Sequence, residues 1–305
     1  MYAFCPRKYW HRYIGHWFGW TDHAHERTRL NYRLTKLESI PTWIGKRVHS
    51  GISSYLSGDL DIDIVRSRTL ELMQSEFKVS EGPVRGPKLF KLQEHFYDTI
   101  SGRSELEEAQ TRVAEALDAF LKTGYRTDFE KARSAGRFTF KEDDLRTWPD
   151  RELFLPELGM DLESVPIYAN PDCVFQHKDD GFVILDWKTG RQPGAEDRQV
   201  ITPQLALYVL WLRHRHAGAG ECPPDRIEAY ECYLPEDELF GRALSEDDLQ
   251  RTVRQTRNEI LKLRKLSDHE RYNIVPEKRC EAKSGQATCG SCPFRFREVC
   301  RDSAI

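Results

Sequence analysis

The 305-residue chain has no apolar run long enough to cross a bilayer. Its opening stretch, MYAFCPRKYWHRYIG, mixes aromatic and basic residues and lacks the apolar core of a signal peptide. These two absences lead us to expect a soluble, cytoplasmic protein. Internal repeats and low-complexity segments are also lacking, which sets aside repeat arrays and disordered tracts. The formal net charge of −3 excludes a chain that is basic overall, though not one with a local basic groove. Basic residues do gather near the two ends, at Arg7, Lys8, His11 and Arg12 and at Arg295, Arg297 and Arg301. On charge alone these read as solvated faces.

What is present is a globular balance, 39% hydrophobic and 31% charged. The length suits one large domain or two ordinary ones, and no linker divides the middle. Segments 5–18, 41–58 and 64–78 read as helices. Within 41–58, Ile44, Val48 and Ile52 share one face, and Gly45, His49 and Ser53 share another. SELEEAQTRVAEALDAFLKTG reads as a helix opened by a capping box, Ser104 with Glu107, and closed by Gly124. RFTF, LFLPEL and VPIYANPDCVF are rich in β-formers. CVFQ and FVILDW read as a hairpin. ITPQLALYVLWLRHRH is a helix with Thr202 as N-cap and Pro203 at its first position. RIEAYECYL is a further strand. A long amphipathic helix follows, with Ser245 and Asp248 at its start. The order implies one mixed α/β domain over 1–305, with a helical insertion at about 60–136.

Asp186 and Lys188 lie two apart in FVILDWKTG and so share a strand face. A three-residue hairpin loop of Asp179, Asp180 and Gly181 would set Asp172 opposite Lys188 and Val174 opposite Asp186. All three charged side chains then emerge on one face. Two carboxylates and an ammonium at a strand end suit metal-assisted phosphodiester hydrolysis, because carboxylate oxygens suit Mg²⁺ and Mn²⁺.

The surroundings sharpen that reading. PD at 171–172, thirteen intervening residues, DWKTG, and then QLALY with Gln204 and Tyr208 resemble the PD-(D/E)xK nuclease superfamily, in particular its RecB-type branch. GKRVH, ending in His49, matches that branch's early helical histidine. The resemblance implies a restriction-endonuclease-like core, a mixed central sheet flanked by helices. It implies His49, Asp172, Asp186 and the backbone carbonyl of Trp187 as ligands of Mg²⁺ or Mn²⁺. Lys188 would assist the nucleophilic water. Gln204 and Tyr208 would hydrogen-bond the DNA backbone or catalytic neighbours. Some relatives carry a further acid before the hairpin, for which Glu152 and Glu157 are the candidates.

Four of the eight cysteines lie between 280 and 300. Cys289, Cys292 and Cys300 are spaced C-x₂-C-x₇-C, and Cys5 stands near the other end. Four thiolates suit Zn²⁺ or an iron–sulfur cluster, and spacing does not choose between them. AddB-like nucleases and the single-domain CRISPR-associated exonucleases hold a [4Fe–4S] cluster with one N-terminal and three C-terminal cysteines. CPRKYWHRYI and CPFRFREVC resemble their two ends. The last interval is commonly five residues in those relatives and is seven here, which keeps Cys280 as the reserve ligand. Cys173, Cys222 and Cys232 are assigned to packing.

The expected activity is DNA cleavage, by an exonuclease on single-stranded or unwinding DNA, with a helicase or CRISPR adaptation proteins as possible partners. The rivals are a non-catalytic DNA-binding or assembly module and a zinc-stapled nuclease acting on RNA.

Overall fold

The structure is a computed structural model and describes residues 5–58, 60–83, 90–100, 102–141, 152–159, 161–177, 181–190, 202–216, 226–234, 238–266, 277–283, 285, 289–296 and 298–300. Arg297, Arg301 and Cys222 lie outside them. The chain forms two compact units, Met1–Trp43 with Leu72–Glu107 and Ile260–Ile305, and Ile44–Glu71 with Glu108–Glu259.

The first unit gathers both chain ends. It holds α1 (Pro6–Tyr13), α2 (Glu26–Leu34) and β1 (Leu37–Glu38), and the start of α3 (Ile40–Leu56). It also holds α4 (Ile62–Glu81) from Leu72 onward, then β2 (Lys91–Leu92), parallel to β1, and the short α5 (Gln93–Phe96). Pro6 opens α1 at a position where a missing N–H costs nothing, and the Cys5 sulfur accepts from Lys8 N–H at 3.4 Å. The helix ends at Tyr13, short of the expected 18. Leu34, Phe294 and Val299 form a small core joining the N-terminal helices to the tail.

Charge joins the same segments. Arg27 grips Glu277 through two hydrogen bonds of 2.8 and 2.7 Å, and Arg7 adds a third at 3.2 Å. Arg7 Nε also donates to the Cys280 carbonyl, and Arg27 to that of Val299. Partial burial works to raise the Glu277 carboxyl, but the Arg27 contacts outweigh it and hold the group below its usual range. Charge-assisted, bidentate bonds of this kind are the strong ones. We expect Glu277→Ala to cost about 2 kcal/mol, read as a lower urea midpoint at unchanged m-value. An unmoved midpoint would show that the ionic link contributes nothing.

The second unit carries the sheet. α6 (Ser104–Lys122) leads through Gly124, at φ +73°, into α7 (Tyr125–Ser134). The expected capping box does not form. Ser104 lies inside the helix with its hydroxyl on Glu105, while Glu107 N–H donates to the Arg103 carbonyl. Next come β3 (Thr139–Lys141), the antiparallel pair β4 (Glu152–Leu153) and β5 (Ile167–Tyr168), then β6 (Cys173–Gln176) and β7 (Phe182–Lys188). α8 (Pro203–His216), β8 (Ile227–Tyr233), β9 (Glu238–Ala243) and α9 (Glu246–Leu266), the last as far as Glu259, complete the order. At α9 the serine–acid box does form: Asp248 Oδ2 accepts from Ser245 N and Oγ at 3.1 and 2.8 Å.

Among the described residues the main sheet runs β3-β6-β7-β8-β9, with β7 and β8 parallel and the other neighbours antiparallel. The parallel pair requires a crossover, and α8 supplies it. Helices cover both faces. Trp187 meets Phe120 of α6 and Tyr125 of α7 at ring distances of 5.1 and 6.1 Å. On the other face Phe140 meets Trp211 of α8 at 5.3 Å. Ile44, Val48 and Ile52 are buried, as their spacing in the sequence predicts. So are Cys173 and Cys232.

The hairpin register differs from expectation. Cys173 pairs with Leu185 and Gln176 with Phe182, and His177 N–H donates to the Gly181 carbonyl at 2.7 Å. Gly181 therefore closes the ladder instead of sitting in the loop. The shift is two positions, so Val174 faces Ile184. Parity is unchanged, and Asp172 keeps the face of Asp186. Described helices include none long and apolar enough to cross a membrane.

Candidate active site

β7 ends where its core ends. Asp186 is 3% exposed, and its neighbour toward the strand end on the same face, Lys188, has 27% of its side chain exposed. Asp172 enters just before β6 and is buried. Its Oδ2 accepts from Trp187 N–H at 2.7 Å, tying the first acid to the strand that carries the second. His49 approaches from α3. One ring nitrogen lies 3.2 Å from Asp172 Oδ1, and the other 3.0 Å from the Trp187 carbonyl. The glycine one turn earlier, Gly45, faces Thr189, so GKRVH and DWKTG lie in contact.

α8 supplies the opposite wall. Lys188 Nζ contacts Asp186 Oδ2 and donates to Gln204 Oε1 at 3.2 Å. Gln204 Nε2 donates to Tyr208 Oη at 2.6 Å and approaches Asp186 Oδ1 at 3.4 Å. Tyr208 Oη reaches the same oxygen at 3.5 Å. The four-residue spacing of Gln204 and Tyr208 makes this possible, because both project from one helical face. The pair therefore bonds its neighbours within the site.

Burial first, and then the Asp172 charge, push the Asp186 carboxyl up to about 6, against the pull of Lys188 and His49. Burial and the Asp186 charge raise Tyr208 as well, so its hydroxyl stays a donor. Asp186 Oδ2 is buried, and although Lys188 touches it, no well-directed hydrogen bond satisfies it.

A third acid is present that the sequence reading did not single out. Glu231 lies beside Asp186 in the parallel β7–β8 register and is buried. It accepts from Thr202 Oγ1 at 3.0 Å and Tyr233 Oη at 3.1 Å, and sits 4.0 Å from Lys188. Thr202 holds the expected N-cap position, its carbonyl accepting from Ala206 N–H, but its hydroxyl turns to Glu231. Glu152 pairs across β4 and β5 with Tyr168, and Glu157 is exposed in the turn Pro156–Leu158.

A family model described as the PD-(D/E)XK nuclease superfamily matches residues 1–301. The chain belongs to the PD-(D/E)XK nuclease superfamily. A comparison with curated proteins finds no match. Membership indicates a phosphodiester-cleaving nuclease, and nucleases of this superfamily usually work with Mg²⁺ or Mn²⁺. Among the described residues of this superfamily member, no three His, Cys, Asp or Glu side chains close on one point as a bound metal requires. The donor chemistry nonetheless fits a hard divalent ion. A histidine nitrogen, two buried carboxylates and a backbone carbonyl stand together, and one carboxylate oxygen lacks a directed donor.

Cys5 and the cysteines of the tail fall in the first unit. Cys5, Cys280 and Cys289 are buried, and Cys292 and Cys300 are half-buried. Burial, above all, raises the Cys292 thiol, and Cys5 and Cys289 stand close enough to add to the effect. Cys280 is raised chiefly by burial and lies near Cys5 and Arg7.

Proposed function

We propose that the chain is a metal-dependent DNA nuclease of the RecB type, an exonuclease acting on single-stranded or unwinding DNA. The observation that carries this reading is the connected set at the end of β7, where Asp186 is linked to Lys188, Gln204 and Tyr208 while Asp172 is tied to His49 and Trp187. A retired site has no need of two buried carboxylates beside a lysine, since buried charge is costly without a task.

His49, Asp172, Asp186 and the Trp187 carbonyl would hold Mg²⁺ or Mn²⁺. That ion, when bound, lowers the pKa of water and offsets charge on the scissile phosphate. Lys188, released from Asp186, orients the attacking water and faces the charge that grows on the phosphoryl oxygens. Water gives up one proton to solvent as its oxygen bonds to phosphorus and the bond to the leaving oxygen breaks, and the departing oxygen takes a proton from solvent. Gln204 holds Lys188 in place and Tyr208 donates toward Asp186.

Metal binding must displace the Asp186 proton. Its carboxyl lies at about 6 without metal, so we expect Mn²⁺ affinity to be flat above that pH. Below it, affinity should fall roughly tenfold per pH unit. Calorimetric titration across pH checks this, and affinity independent of pH through that range would contradict it.

At the cysteines we propose a [4Fe–4S] cluster on Cys5, Cys289, Cys292 and Cys300, with Zn²⁺ as the alternative metal and Cys280 as the reserve ligand. Burial of three of these five thiols and their shared unit with both chain ends support it. A helicase or CRISPR adaptation proteins would present the DNA end. The test is digestion of matched linear and circular single-stranded DNA, and of RNA, with Mn²⁺. Degradation of linear DNA alone supports the reading. Cleavage of circles makes the enzyme an endonuclease, preference for RNA selects the zinc-stapled rival, and no cleavage selects the non-catalytic module.

A further inference from the structure

The segment after α1 supplies none of the cleavage-site residues. Large aromatic side chains are left outside there: Tyr13 is 48% exposed, Trp17 58%, Phe18 64% and Trp20 44%. We propose that residues 13–20 form a stacking platform for single-stranded nucleic acid, a proposal that rests on the DNA-nuclease reading above.

The platform is built, not frayed. Three reverse turns follow one another, closed by Trp17 N–H on Ile14, Gly19 N–H on His16 and Thr21 N–H on Phe18. Two glycines press them onto the helices. A Cβ at Gly15 would lie 2.1 Å from the Trp10 ring, and one at Gly19 would lie 2.4 Å from the Thr28 carbonyl. Trp17 Nε1 is fixed on the Tyr13 carbonyl at 2.7 Å. Phe18 sits at φ +64°, a conformation bulky residues rarely adopt. The ring touches Trp17 and Trp20 but stays mostly exposed, so core burial does not offset that strain, and strain of this kind concentrates at binding sites.

The rings lean on one another without stacking face to face, with centroids 6.2 Å apart for the edge-on pair Trp17 and Phe18 and 5.5 Å for the tilted pair Phe18 and Trp20. Trp20 continues onto Tyr32, over which Lys36 Nζ stands at 4.8 Å. Between Arg7 and Lys36 the chain has seven lysines and arginines against two acids, Asp22 and Glu26, and Arg33 and Lys36 are exposed. Tilted aromatic faces bordered by cations suit unpaired bases and their phosphates, whereas duplex bases are already stacked.

The test separates binding from cleavage. Binding of labelled oligothymidylate is followed by fluorescence anisotropy in EDTA, and hydrolysis of bis(p-nitrophenyl) phosphate with Mn²⁺ reports the cleavage site. Trp17→Ala/Phe18→Ala/Trp20→Ala should lose about tenfold or more in oligothymidylate affinity, with hydrolysis and circular dichroism unchanged. Trp17→Ala alone should lose part of it, and Trp17→Tyr should keep most. Lys36→Ala should flatten the salt dependence. Unchanged affinity in the triple variant overturns the platform. So does an equal loss on blunt duplex, or an altered oligomeric state at unaltered affinity, which would make the surface a protein contact. Aromatic-dependent binding in a wild-type protein that hydrolyses nothing supports the platform and sinks the nuclease reading instead.

Discussion

Asp186→Asn should abolish cleavage and at the same time stabilise the metal-free protein. The two effects share one cause. Asp186 is buried beside Asp172, and its carboxyl is raised from 3.8 to about 6 in the folded chain. A folded carboxyl that binds its proton more tightly than the unfolded one loses stability as pH rises through that interval, and the loss is complete above it. The gap of about two pH units is worth about 3 kcal/mol at most. Asparagine carries no charge and removes that cost at pH 8, while Gln204 and Glu231 remain near Lys188. The same change removes a proposed metal ligand and should cost about a thousandfold or more in rate. Thermal melts in EDTA with parallel cleavage assays check both halves. A destabilised variant would mean that Asp186 serves the fold, and wild-type cleavage would remove it from the reaction.

Loss of the proposed cysteine cluster should have the largest effect on stability. Cys5→Ser, Cys289→Ser, Cys292→Ser and Cys300→Ser should each lose the visible absorbance of the cluster and lower the melting temperature by about 10 °C or more. Cys173→Ser and Cys232→Ser, whose thiols lie in strands β6 and β8, should keep the absorbance. Cys280→Ser decides the longer interval. Bleaching by that substitution, with Cys300→Ser still coloured, would make Cys280 the fourth ligand. Zinc in place of iron in anaerobically purified protein would select the alternative metal.

Much of the site is legible because its residues sit at fixed spacings. Asp186 and Lys188 share a strand face, Gln204 and Tyr208 share a helix face, and period alone places each pair. The hairpin register was mislaid by two positions because glycine suggests a loop residue, whereas Gly181 here closes the ladder with His177. The error was harmless because only parity decides which face a side chain takes. Glu231 was missed for a different reason. A single acid in RIEAYECYL has no spacing partner in the sequence, and its significance comes from the parallel pairing of β8 with β7, which is non-local. The expected capping box at Ser104 fails, whereas Ser245 and Asp248, expected only at the start of their helix, form one, because a box needs the serine to stand outside the helix. Near the N-terminus, the aromatic stretch expected as a helix to 18 leaves the helix after Tyr13, where Ile14 takes φ −127°, and Phe18 further on is left-handed.

The proposed cleavage turns on a divalent ion held by His49, Asp172, Asp186 and the Trp187 carbonyl. Anomalous diffraction from crystals grown with Mn²⁺ tests it most directly. The account predicts one strong peak about 2.2 Å from a His49 ring nitrogen, from both carboxylates and from the Trp187 oxygen, with the 3.0 Å His49–Trp187 hydrogen bond replaced by two bonds to the ion. A peak elsewhere, or that hydrogen bond intact in saturating Mn²⁺, would contradict it.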